Sequence, residues 1–141
     1  MNLLSKIKTL MSTDLITVHE DDTLAKVDEI FRTNRIKHLP VVHTSRLAGI
    51  ISKTDFNYFK KGIENSEQTL ENTKCSEIMT RGVATLSVDD KINVAIEVFK
   101  ENLFHAIPIM EDDRVVGIVS THDIMKAISE DNEVTNKYEL S

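Results

Sequence analysis

Gly49-Ile50-Ile51-Ser52-Lys53-Thr54-Asp55 returns 68 residues later as Gly117-Ile118-Val119-Ser120-Thr121-His122-Asp123. Working outward at the same offset, Pro40 matches Pro108, Phe31 matches Phe99, Asp21-Asp22 match Asp89-Asp90, and Met11 matches Met79. Residues 10–56 are thus repeated without a gap at 78–124. An ungapped repeat fixes equal element lengths in both copies and constrains the fold before any local reading does. One copy of about 50–60 residues buries too small a fraction of its surface to be stable by itself. Two copies sharing a core are therefore expected, with pseudo-two-fold symmetry.

Within each copy the periodicity changes along the chain. Leu24, Val27, Ile30 and Phe31 recur at helical spacing, and Ile92, Ala95, Ile96 and Phe99 repeat the stripe. Asp21-Asp22 are expected to cap the first of these helices, which should run through about Asn34. Leu15–Val18 and Val83–Leu86 read as short strands. Strands near 38–43 and 46–51 flank Thr44-Ser45 as a hairpin, and 106–110 and 114–119 flank Asp112-Asp113 likewise. Pro40 and Pro108 suggest an edge strand or a strand start, because proline cannot donate to a ladder. Helices should begin at Ser52 and at Ser120. Leu3, Leu4, Ile7, Leu10 and Met11 predict a short opening helix. The predicted organisation is a first repeat over 1–62 with its N-terminal helix, a polar connector over 63–74, a second repeat over 75–130, and a frayed tail over 131–141. Mixed strands and helices with antiparallel hairpins place the fold in the α+β class.

The chain has 141 residues, 40% hydrophobic and 28% charged, with a formal charge of −6. These are globular values, and the acidic balance argues against a broad nucleic-acid or anionic-membrane face. One cysteine, Cys75, excludes an intrachain disulfide and a cysteine-based metal site, and fits a reducing cytoplasm. No apolar run approaches the roughly 20 residues of a membrane helix, and the first residues lack the apolar region of a signal peptide. The five histidines show no ligand spacing on one element, and no phosphate-binding glycine loop or nucleophile elbow is present, so neither metal nor catalysis is expected.

The chemistry-bearing candidates are the two Ser-x-x-Asp segments. Each runs from an apolar strand into a helix start. An aspartate there can accept the two hydroxyl hydrogens of a ribose, and the strand glycine can mark close approach of a backbone or a ligand. The same spacing also makes a capping box, so a purely structural role stays open. The second candidate pair is Arg35–Pro40 and Leu103–Pro108, polar or basic residues entering an apolar strand.

In order, Met11, Ile16-Thr17-Val18, Asp21-Asp22, Ile36-Lys37-His38-Leu39-Pro40-Val41-Val42 and Gly49-Ile50-Ile51-Ser52-x-x-Asp55 resemble a CBS domain, and the series recurs from Met79 to Asp123. The chain resembles a stand-alone CBS-domain pair over about 120 of its residues. That resemblance implies two β-α-β-β-α repeats packed sheet to sheet, with clefts that in many members bind AMP, ADP, ATP or S-adenosylmethionine. Carried over, one cleft would use Ser52, Thr54 and Asp55 with Ala84, Phe104 and His105. The other would use Ser120, His122 and Asp123 with Ile16, Ile36, Lys37 and His38, and is expected to favour a phosphorylated ligand. The resemblance also implies a regulatory module without enzymatic activity, with no required cofactor. It would sense adenine nucleotides, form a homodimer through the helices after Ser52 and Ser120, and act on an unidentified effector protein. A ligand-free dimerisation scaffold is the alternative.

Overall fold

The computed structural model describes residues 1–102 and 104–139, with side chains through Glu130. The chain forms two compact units, Ile16–Val83 and Met1–Leu15 together with the chain from Ala84 onward. The sequence repeats and the compact units are therefore cut at different places. The opening segment of each repeat, residues 1–15 and 75–83, belongs to the unit built on the rest of the other repeat.

In the unit Ile16–Val83, β1 (Val18–His19) leads to helix α1 (Leu24–Thr33), the hairpin β2 (His38–His43) and β3 (Arg46–Ser52), helix α2 (Lys53–Gly62) and the single turn α3 (Cys75–Ile78). The sheet order is β1-β2-β3, with β1 parallel and β3 antiparallel to the central β2. Thr44 and Ser45 both take positive φ, 45° and 70°, the left-handed pair that a two-residue hairpin turn requires. The stripe Leu24, Val27 and Phe31 is buried against Val18, Leu39, Val41, Ile51 and Phe56, with Cys75 and Met79 completing the core. Phe31 and Phe56 meet at a ring-centroid distance of 5.6 Å in a tilted pair, which holds α1 to α2.

The other unit repeats this plan with β4 (Leu86–Ser87), α4 (Ile92–Glu101), β5 (Ala106–Glu111), β6 (Arg114–Ser120) and α5 (Thr121–Glu139). Its sheet runs β4-β5-β6, and Asp112 and Asp113 supply the positive-φ turn at 51° and 64°. Both hairpins shift register at the same place, between Val41 and Val42 and between Ile109 and Met110. Ile7 completes this second core as Cys75 completes the first. The α+β class and the two-repeat plan expected from the sequence are those observed.

Several local expectations are corrected. The opening segment is one 3-10 turn, Ile7–Thr9, and of the predicted apolar stripe only Ile7 is buried. Leu3 and Ser5 cannot join a helix there because their carbonyls accept the Asn93 and Ile92 amides at the start of α4, each at 2.9 Å. In the first unit Leu70 and Thr73 do the same for Ala25 and Leu24 at the start of α1, at 3.1 and 2.9 Å. Asp22 does not cap α1, whose N-cap is Thr23. Its carboxylate accepts the His19 amide at 2.8 Å, as the Asp90 carboxylate accepts the Ser87 amide at 2.8 Å. Partial burial pushes the Asp22 carboxyl up, but the His19 amide and Lys26 outweigh it and hold it below the usual carboxylate range.

Pro40 and Pro108 lie in central strands rather than at an edge. β1 pairs only with Val41 and Val42, so its ladder stops one residue short of Pro40, where a missing donor is tolerated. The connector over 63–74 is polar and contains no helix, yet Thr73 within it is fully buried. Residues 131–139, read as a frayed tail, continue α5 as helix, while Leu103 and residues 140–141 lie outside the described residues.

Candidate functional site: two Ser-x-x-Asp corners

Each corner forms where the last strand of a repeat turns into a helix. In the first repeat Ser52 ends β3 in an extended conformation and caps α2, its Oγ accepting the Asp55 amide at 3.1 Å. His38 stands opposite Ser52 in the β2–β3 register. The Lys53 amide donates to the Lys37 carbonyl at 2.8 Å, so the start of β2 and the start of α2 share one corner. Lys37, Thr54 and Asp55 are exposed, and Ser52, His38 and Ile36 are half-buried. Ile36 and Ile16 also pack against the first core.

The second repeat builds the same corner with one added bond. The Asp123 amide donates to Ser120 Oγ at 3.1 Å, and the Ser120 amide donates to Asp123 Oδ2 at 2.8 Å. This closes the capping box. At the first corner only the Ser52-to-Asp55 half forms, and among the described residues the Asp55 carboxylate has no hydrogen-bond or ionic partner. Ala106 stands opposite Ser120, and the Thr121 amide donates to the His105 carbonyl at 3.0 Å. Phe104, Ala84 and Asp123 are half-buried; His105 and His122 are exposed.

The structure thus gathers Ile36, Lys37, His38, Ser52, Thr54 and Asp55 in one unit and Ala84, Phe104, His105, Ser120, His122 and Asp123 in the other. Sequence reasoning passed over Lys53. It fills an unspecified position between Ser52 and Asp55, and the signal was available in the mismatch with Thr121 at the same repeat position.

The strand glycines prove to be backbone contacts. A Cβ on Gly49 would meet Thr80 O at 2.7 Å, and one on Gly117 would meet Met11 Sδ at 2.6 Å and Ser12 O at 3.0 Å. Ile50 and Thr80 exchange both backbone hydrogen bonds, as do Ile118 and Ser12. Met11 and Met79 recur in the repeat because each lies on a glycine.

Elsewhere, burial and the nearby Asp22 charge push the Cys75 thiol up to about 12, which leaves it unreactive at neutral pH. Among the described residues no group of three or more His, Cys, Asp or Glu could hold a metal ion, and no helix is long and apolar enough to cross a membrane.

Comparison with known proteins places this geometry. The family model for the CBS domain matches residues 7–60 and again 75–130. An L-aspartate semialdehyde sulfurtransferase of Methanocaldococcus jannaschii is 34% identical over 123 residues, 85% of this chain and 22% of that protein. A homoserine O-acetyltransferase of Methanococcus vannielii is 31% identical over 126 residues, 87% of this chain and 25% of that protein. The chain therefore spans about a quarter of the length of these two curated relatives. Among solved structures, the CBS domain pair of protein MJ0100, in complex with 5-methylthioadenosine and S-adenosyl-L-methionine, is 31% identical with a TM-score of 0.73. The match covers 91% of this chain and 98% of that one. Two matched repeats, each ending in a Ser-x-x-Asp corner, make this chain a member of the CBS domain family, carrying a CBS-domain pair.

Proposed function

We propose that the chain is a regulatory, non-enzymatic module that binds an adenosyl ligand and passes the resulting conformational change to an effector protein. The observation that carries this reading is the adenosyl complex of the MJ0100 domain pair, whose full length this chain matches at 31% identity. The corners supply the chemistry, since a carboxylate beside a serine hydroxyl suits a ribose diol. As in the family resemblance, base and phosphates would meet Ile16, Ile36, Lys37 and His38, or Ala84, Phe104 and His105. AMP, ADP or ATP is the preferred ligand because Lys37 is exposed beside the first corner; S-adenosylmethionine is the next. A ligand shifts conformation only by the difference between its affinities for two states, so the effector must read a state that the nucleotide favours.

A homodimer fits the exposed apolar side chains of α2 and α5. Among the described residues Tyr58, Met125 and Ile128 are the exposed large apolar side chains of these helices, while Phe56 and Ile124 are buried in their own units. The scaffold alternative draws on Asp123, whose carboxylate is already used in a cap.

Thermal shift with an adenosine-nucleotide panel and S-adenosylmethionine tests the reading. Ligand at about 100 times its dissociation constant stabilises by roughly 2.7 kcal/mol. A clear rise in Tm with one adenosyl compound is expected; no shift with any of them favours the scaffold.

A further inference from the structure

We propose that Ser52–Asp55, rather than Ser120–Asp123, is the corner that takes a phosphorylated nucleoside, and that Lys53 is its phosphate-reading residue. The proposal rests on the adenosyl-binding reading above and reverses the preference that charge alone suggested in the sequence.

Two independent differences between the corners carry it. The first is bonding. Asp123 Oδ2 is held by the Ser120 amide at 2.8 Å, whereas among the described residues the Asp55 carboxylate accepts no such bond, although the Asp55 amide donates to Ser52 Oγ at 3.1 Å. Asp55 therefore keeps both carboxylate oxygens for a vicinal diol. A diol at Asp123 must share the oxygen already used or open the box.

The second difference is charge. The 2.8 Å bond from the Lys53 amide to the Lys37 carbonyl sets two lysines on adjoining backbone beside Asp55. Neither amine has a carboxylate within 4.0 Å among the described residues, a property shared with Lys8, Lys61, Lys91 and Lys126, but of these six only Lys37 and Lys53 are joined by a backbone bond at a Ser-x-x-Asp corner. The corresponding positions of the second repeat are His105 and Thr121, so no ammonium stands beside Asp123 in this way. An ammonium–phosphate contact is a charge-assisted hydrogen bond that a neutral nucleoside cannot make. Lys53 should therefore discriminate ATP from adenosine, while Asp55 should hold the ribose of both.

Isothermal titration of the whole chain with ATP and with adenosine tests this, using Lys53→Thr, Asp55→Ala, Asp123→Ala and Asp123→Asn. Lys53→Thr is expected to weaken ATP about ten- to hundredfold and adenosine by no more than about twofold. Asp55→Ala should weaken both ligands. The Asp123 variants should weaken the tighter ATP-binding event less than Asp55→Ala does, with Asp123→Asn serving if loss of the cap unfolds the alanine variant. The proposal is overturned if Lys53→Thr leaves ATP binding intact, if it weakens adenosine equally, or if Asp123→Asn costs more than Asp55→Ala. Those results would leave the adenosyl reading standing; a wild-type chain that binds S-adenosylmethionine alone would overturn the nucleotide assignment but not the adenosyl class, and one that binds no adenosyl compound would overturn both.

Discussion

Gly49 and Gly117 occupy equal repeat positions and are hemmed in by equivalent atoms, a methionine side chain and the next residue's carbonyl oxygen, at different distances. The nearest obstacle to a Cβ on Gly49 is a backbone oxygen, Thr80 O at 2.7 Å, which accepts the Ile50 amide while the Thr80 amide donates back to the Ile50 carbonyl. At Gly117 the equivalent oxygen, Ser12 O, stands farther off at 3.0 Å, and the nearest obstacle is the Met11 thioether at 2.6 Å, a flexible side chain that can turn aside. Gly49→Ala is therefore expected to cost about 1–3 kcal/mol, and Gly117→Ala less. Chemical denaturation of both variants checks the order, and a larger loss at Gly117 would show that Met11 yields less readily than the Thr80 backbone. A glycine inside an apolar strand was legible as a close approach. Whether ligand or backbone made it was not legible, because the answer depends on a pairing about thirty residues away in one repeat and over a hundred in the other. Lys53 was missed for a related reason. A motif written Ser-x-x-Asp discards the intervening residues, and it is the Lys37–Lys53 backbone bond that gives this one its setting.

At the scale of elements, the hairpins were the most legible part. Their strand ends fall within one residue of expectation because two-residue turns at positive φ leave little freedom in register. Helix starts were harder to read. The N-caps of α1 and α4, Thr23 and Lys91, make no side-chain cap bond, and carbonyls from distant chain satisfy the first amides of both helices instead. A carbonyl cap leaves no side-chain signature, so the nearest aspartates attracted the assignment. The same bonds make a prediction. Deleting residues 1–5 removes the Leu3 and Ser5 carbonyls from the Asn93 and Ile92 amides. Each lost bond is worth about 0.5–1.5 kcal/mol. Hydrogen exchange should show faster exchange at residues 92 and 93 and unchanged protection at residues 24 and 25, whose carbonyl partners, Thr73 and Leu70, remain. Equal loss at both helices would mean that the segment supports more than its own unit.

At the scale of the whole molecule, the repeat seen in sequence and the compact unit have different boundaries. The first core contains Cys75 and Met79 beside Val18, Leu24 and Phe31, and its β3 is bonded to Thr80. A fragment cut at the sequence repeat, residues 1–62, would lose Cys75, Met79, the Thr80 bridge and both carbonyls that close α1. It would keep Ile7, whose core lies in the other unit. A fragment cut at the compact unit, residues 16–83, keeps every one of the first core's buried side chains. Both are near the size at which burial barely outweighs chain entropy, so the missing contacts should decide the result. Residues 16–83 are expected to melt cooperatively by circular dichroism and to give dispersed amide resonances. Residues 1–62 should give neither. Cooperative folding of the 1–62 fragment would show that the sequence repeat carries a sufficient core by itself. The segments exchanged between repeats would then be additions to a finished fold rather than parts of it.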